Sequence, residues 1–337
     1  MLQKLIEETT MNGIDVIGHQ AQQSLLLRAI EQEKLSHAYL FTGPERIGKR
    51  TVALWLAQKL FCTGEEKPCG NCQACRQVLA GTHPDLFLLQ PFQGKKSTGI
   101  DQVRALQKSL SLKPFSSPYK FAIIDQAESL NREAANALLK VLEEPPAASL
   151  LILITAAPAK LLPTIISRVR KLSFSPVPSD EITQTLSGQN FEAEHQESLV
   201  SLARGRVGWL HSVLADPGIA DEAKEYGELF FKLLTQPLHD RFSIVEEWHK
   251  AGVTPDKVLS YLLLWWQDVL FLSHQRSKHL HFSSLRKHLA TISRMDSDEA
   301  FQYLEVLSSI QEDLQYNMNK RLLLESCVVS MPTLSAL

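Results

Sequence analysis

A short apolar run, "HAYLFTG" (37–43), leads into "GPERIGKR" (43–50) and then into the helically spaced "KRTVALWLAQKLFC" (49–62). Strand, glycine-bearing loop and helix in immediate succession leave little architectural choice. The loop must turn sharply, and the helix it opens aims backbone amides back at the strand end. Loops that cradle phosphates follow the pattern G-x-x-x-x-G-K-[ST]. Gly43, Gly48 and Lys49 stand in register with it, but Arg50 occupies the hydroxyl position and Thr51 comes one residue late. One residue along a helix is a turn of about 100°, so Thr51 is not expected to replace a metal-holding hydroxyl.

The alternation continues downstream. "LFLLQP" (86–91), "KFAIID" (120–125), "SLLILITA" (149–156) and "RKLSFSP" (170–176) read as strands. Between them, "GIDQVRALQKSLSL" (99–112), "SLNREAANALLKVLEEPP" (129–146) and "LLPTIISRV" (161–169) read as helices. Strands alternating with helices predict an α/β domain with a parallel sheet wrapped on both faces. "SPVPSD" (175–180) ends the alternation, short helices follow to about 214, and long helices are expected from Ala220 onward. The expected division is an α/β nucleotide-binding-like domain over 1–175, a small helical domain over 176–216 and an all-helical domain over 217–337. The 337 residues, 44% of them hydrophobic, suffice for that many cores.

Charge and hydropathy exclude some classes of function. The 35 basic and 37 acidic residues leave a formal net charge of −2, so nothing global drives the chain toward nucleic acid. Apolar stretches such as Tyr261–Trp266 and Leu150–Ile154 are too short to span a bilayer. The first residues carry acids where a signal peptide has an apolar core, and a soluble cytoplasmic protein is expected.

Four of the five cysteines, Cys62, Cys69, Cys72 and Cys75, fall within fourteen residues in the spacing C-x6-C-x2-C-x2-C. That clustering in a large chain favours metal over disulfides. Four thiolates fill a tetrahedral zinc site and leave no open position, so the expected zinc is structural.

The order of "HAYLFTG", the glycine loop, "FC…CGNCQAC", "AGTHPDLFLLQP", "LLKVLEEPP" and "SRVRKLSF" resembles the clamp-loader subunits of bacterial DNA polymerase III. The resemblance is dense over the first 175 residues and extends to the helical remainder by layout. It implies an AAA+ nucleotide domain carrying a zinc module, a helical lid, and a helical collar that builds a pentameric ring. The implied partners are tau/gamma and delta subunits, with the sliding clamp and primer–template DNA reached through the complex. Two kinds of subunit in the family carry the zinc module: the ATP-hydrolysing tau/gamma motor and the non-motor delta-prime.

Set beside the motor pattern, three positions of this chain depart. Arg50 replaces the residue that holds Mg²⁺. After the third strand comes Asp125-Gln126-Ala127-Glu128, where Asp125 can help organise metal but Gln126 cannot act as a base; Glu128 is expected to face elsewhere. The stretch Gly205-Arg206-Val207-Gly208 places glycine where the lid arginine would stand. The residues leave ATP binding to Gly43, Gly48 and Lys49 open and argue against hydrolysis. Ser167-Arg168-Val169 matches the family's S-R-C motif except at Val169, which implies that Arg168 acts as an arginine finger on a neighbour's nucleotide. The simpler alternative is that Arg168 caps a helix end. Retained donor and lost acceptor fit the delta-prime kind of subunit within a polymerase (nucleotidyltransferase) assembly. A motor with tolerated substitutions and a zinc adaptor outside replication remain alternatives.

Lys95 and Lys96 form a basic pair in a glycine-containing loop, read as solvated. His83 and Asp85 in "THPD" are read as a turn before a strand rather than a catalytic pair. "LLLWWQDVLF" (262–271) and "NKRLLLESCVVSM" (319–331) read as core helices, with Cys327 buried.

Overall fold

The structure is a computed structural model that describes residues 14–91, 97–186, 193–216, 218–274, 280, 283–314 and 319–334. Lys95 and Lys96 lie outside the described residues. The chain divides into two compact units, residues 1–185 with 205–209, and residues 186–204 with 210–337.

The first unit is built on five parallel strands in the order β2-β3-β4-β1-β5. They are β1 (Ala38–Thr42), β2 (Leu86–Leu89), β3 (Lys120–Ile124), β4 (Ser149–Thr155) and β5 (Arg170–Ser173). Helix α1 (Gln20–Glu31) precedes β1, and α2 (Lys49–Phe61), α3 (Gln73–Leu79), α4 (Ile100–Leu110), α5 (Arg132–Glu143) and α6 (Pro163–Ile166) separate the strands. Both faces of the sheet are covered, so strand residues of both parities are buried, as parallel sheets require. Tyr39 and Phe41 enter one core with Leu26, Leu56 and Ile152. Ala38 and Leu40 enter the other with Leu106, Leu138 and Leu153. Parallel register Tyr39↔Ile152 and Tyr39↔Arg170 places β1 between β4 and β5.

The α6 segment is a single turn rather than the 161–169 helix the spacing suggests. Pro163 starts it at the first helical position, where no amide is needed, and the chain reaches β5 by Arg170.

Downstream lie α7 (Ser179–Leu186), α8 (Ala193–Ala203), α9 (Val207–Ala215), α10 (Gly218–Thr235), α11 (Leu238–Lys250), α12 (Pro255–Ser273), α13 (Leu289–Ile292), α14 (Ser297–Asp313) and α15 (Lys320–Val329). Among the described residues the second unit contains no strand. Its core gathers Phe230, Leu262, Trp265, Trp266, Val269, Tyr303 and Cys327. The aromatic stretch of α12 is thus core, as its pattern predicts. The buried Arg241 donates to the carbonyls of Gln236, Val328, Met331 and Pro332 and to Thr333 Oγ1, fastening the segment after α15 to α11. Among the described residues no helix is long and apolar enough to cross a membrane.

Candidate functional site

The carboxyl ends of β1, β3 and β4 open onto a cleft of about 340 Å³. Crevices at the carboxyl ends of parallel strands, where strand order reverses, are the usual ligand positions in such sheets. The lining includes Gly48, Lys49, Arg50, Thr51, Asp125, Glu128, Thr155 and Gly208. The loop over 43–48 holds its shape through buried Ile47, whose carbonyl is 2.6 Å from His19 Nε2. Gly43 (φ 144°) has no room for a side chain, since a Cβ there would stand 2.3 Å from the Phe174 carbonyl.

Two of the cations lining the cleft, Lys49 and Arg50, already have partners. Lys49 Nζ donates to the Gly43 and Pro44 carbonyls at 2.5 Å each. Burial lowers its ammonium below the usual lysine range, against the opposing pull of Glu128, Glu45 and Asp125. Arg50 Nη1 lies 3.6 Å from Asp125 Oδ2 and 3.2 Å from Gln90 Oε1. The carboxylate expected to organise a metal is thus paired with a side-chain cation. Thr51 lines the cleft too, one residue past the position a metal-holding hydroxyl would take.

Glu128 corrects the sequence reading. It faces the cleft rather than away from it: its Oε1 accepts from the Ala156 amide at 3.1 Å, and its Oε2 is buried without a partner among the described residues. The cause is a 3-10 turn over Ala127–Ser129 after Gln126 in left-handed conformation (φ 53°). That turn swings residue 128 back over the strand ends, which a count along an extended chain does not anticipate. Gly208 meets the loop directly, its amide 2.7 Å from the Arg46 carbonyl. A Cβ at 208 would come within 2.9 Å of that oxygen, so an arginine there requires the loop to move.

Arg168 and Ser167 do not line this cleft. They sit on the turn from α6 to β5. Arg168 Nη1 donates to the Thr164 carbonyl (3.0 Å) and Ser167 Oγ (3.2 Å), and Nη2 meets Glu143 Oε1 at 2.9 Å. Its side chain stays 37% exposed, so helix-end capping and a partly open side chain coexist. Val169 packs against the core beside it. Glu143 was not singled out in the sequence; the available signal was an acidic pair, Glu143 and Glu144, at a helix C-terminus, where the dipole disfavours acids.

The four sulfurs of Cys62, Cys69, Cys72 and Cys75 lie within 4.8 Å of one another. A tetrahedron of bonds of about 2.3 Å has edges near 3.8 Å, so the cluster closes on one ion with small shifts. Amides are aimed at the sulfurs: Gly64 and Cys69 at Cys62, Cys72 at Cys69, and Cys75 at Cys72, at 3.3 to 3.4 Å. Burial pushes the Cys72 thiol up, but donors from Thr63 and Cys75 outweigh it and bring it to about 6. Burial and the adjacent Cys72 push Cys75 the other way. Thiolates so crowded repel unless a cation sits among them, so the donor set fits a closed metal site. Buried Gln58 ties this module to the sheet unit, donating to the Cys75 carbonyl and accepting from the Ile14 amide.

His83 and Asp85 are structural, as the turn reading predicts. His83 stacks on Phe61, its ring centroid 4.4 Å away, and its Nδ1 accepts from the Asp85 amide. Asp85 forms a buried pair with Lys120 at 2.8 Å and accepts from the amides of Phe115, Ser116 and Ser117.

The chain is similar to several known proteins. Residues 18–178 match the family model described as DNA polymerase III, delta subunit. The chain is 32% identical over 315 residues to a DNA polymerase III subunit delta' of Bacillus subtilis, covering 91% of this chain and 94% of that protein. Identity to a delta' subunit of Pseudomonas aeruginosa is 42% over 152 residues, covering 44% of this chain and 45% of that one. A Bacillus subtilis subunit tau is 25% identical, covering 94% of this chain and 61% of tau. Among solved structures, a gamma subunit-related protein of DNA polymerase III from Thermotoga maritima aligns with a TM-score of 0.44 and 21% identity, over 90% of this chain and 96% of that one.

Proposed function

Because the chain belongs to the DNA polymerase III delta' family of clamp-loader subunits, we propose that it is a non-hydrolysing stator. It presents Arg168 to the nucleotide of a neighbouring tau/gamma-type motor and does not turn over ATP itself. In this reading 1–175 is the AAA+ domain, 176–216 the lid and 217–337 the collar. The assembly is a pentameric ring with delta and tau/gamma that places a sliding clamp on primer–template DNA in the cytoplasm.

One observation carries the proposal. The chain's own cleft has Arg50 against Asp125 where a motor keeps a magnesium ion, while Arg168 stays partly exposed outside that cleft. Phosphoryl transfer is mostly positioning and charge stabilisation. A cleft without a metal-holding hydroxyl, without a carboxylate at residue 126 and without an arginine at 208 lacks three parts of that machinery. Backbone amides and Lys49 can still receive phosphates if Lys49 exchanges two carbonyls for them. The four cysteines would hold zinc, and its contribution is structural: it closes a loop that has little core of its own.

The tau match favours a motor as the rival reading. Two measurements separate them. The isolated chain should show no ATPase above background; turnover abolished by Lys49→Ala would establish the motor instead. In a reconstituted loader, Arg168→Ala should leave assembly intact and lower ATP turnover. An arginine supplied in trans contributes about 10³–10⁵ in rate, so the turnover lost is nearly the whole share of the one site it serves. An unchanged rate removes Arg168 from the mechanism.

A further inference from the structure

Glu143 and Arg168 belong to different elements, and the first explains the posture of the second. Glu143 is the last residue of α5, where exposed carbonyls make an acid unfavourable, and Glu144 adds a second acid beside it. A local rule broken in this way points to a compensating role. The compensation is Arg168: its Nη2 reaches Glu143 Oε1 at 2.9 Å, while Nη1 is held by the Thr164 carbonyl and by Ser167 Oγ. Ser167 is itself fixed, donating to the same Thr164 carbonyl at 3.1 Å. A long side chain on a short turn is therefore held from three directions while 37% of its surface stays open.

Resting on the reading of Arg168 as an arginine acting in trans, we propose that Glu143 is its positioning residue. The carboxylate stands in for an oxyanion before one arrives, keeping the guanidinium fixed on the turn with its fork geometry set. Two N–H donors have no acceptor among the described residues and remain for the incoming phosphate oxygens. A guanidinium that is already oriented loses less rotamer freedom when it engages the phosphate, so the gain appears in turnover rather than in nucleotide affinity.

The test is a double-mutant cycle in the reconstituted loader with its motor and delta subunits, measuring kcat and KM for ATP. Glu143→Ala should remove at least half of the turnover that Arg168→Ala removes, with KM for ATP changed less than twofold. Glu143→Ala combined with Arg168→Ala should be no slower than Arg168→Ala alone. Glu143→Gln, which keeps an acceptor oxygen but not the charge, should fall between Glu143→Ala and the parent. Loss from Glu143→Ala that persists undiminished beside Arg168→Ala would overturn the proposal, because Glu143 would then act through something other than Arg168. Full turnover in Glu143→Ala, with Arg168→Ala still slow, would overturn it and leave the Arg168 reading standing. If Arg168→Ala is itself silent, the Arg168 reading fails and takes this role with it.

Discussion

Removing the Asp85 carboxylate should destabilise the sheet unit more than any exposed substitution in it. Asp85 is fully buried and Lys120 only 8% exposed, with 2.8 Å between their charges. Burial pushes the Asp85 carboxyl up. The Lys120 ammonium, the amides of Ser116 and Phe115 and the Ser117 hydroxyl outweigh that and hold it well below the usual carboxylate range. Asp85→Ala leaves a buried cation alone, a change that costs about 3–5 kcal/mol. For a unit of this size each kcal/mol lowers the melting point by about 2–4 °C, so the expected fall is roughly 6–20 °C. Adding Lys120→Met should restore part of it, since the orphaned charge goes too. The sign with pH follows from the lowered value. The stabilisation is complete above the unfolded pKa of about 3.9 and is lost as pH falls through the folded one. The gap between parent and Asp85→Ala should therefore hold from pH 5 to 8 and narrow below about pH 4. Differential scanning calorimetry of the full chain reads both effects. An Asp85→Ala chain melting within about 2 °C of the parent, under about 1 kcal/mol, would refute the reasoning.

Other perturbations probe the remaining features. The purified chain should carry one zinc by elemental analysis, and Cys69→Ser with Cys72→Ser should abolish it; metal retained without those thiols would place the ion elsewhere. Gly208→Arg should not restore ATPase to the isolated chain and should lower its melting temperature, because even a Cβ there crowds the Arg46 carbonyl at 2.9 Å. Arg241→Met should destabilise the helical unit by roughly 2–4 kcal/mol, because charged hydrogen bonds are lost. Limited proteolysis should then cut after α15 first, and an unchanged digestion pattern would count against the pinning role.

Most of the sheet unit was legible in advance because its signals are local. Continuous apolar runs such as "KFAII" and "LLILIT" mark strands buried on both faces, and both stand within a residue or two of where the pattern places them. The cysteine cluster was legible for the same reason: C-x2-C spacing is itself a geometric statement. Glu128 was not, because its direction depends on a left-handed residue at Gln126, and a glutamine carries no signal for that conformation. Glu143 escaped because its partner is 25 residues away, on a turn after the next strand.

The sequence by itself determined the alternation of strand and helix, the loop with Gly43, Gly48 and Lys49 but no metal-holding hydroxyl, the four-thiol spacing and the arginine after Ser167. These are properties of neighbouring residues, and short-range sterics and hydrogen bonding dictate them. Only the tertiary structure decided what the charged groups meet: Arg50 on Asp125, Lys49 on its own loop's carbonyls, Glu128 in the cleft, and Arg168 on Glu143. A charge interacts with whatever the fold brings within a few ångströms, and packing alone sets that distance.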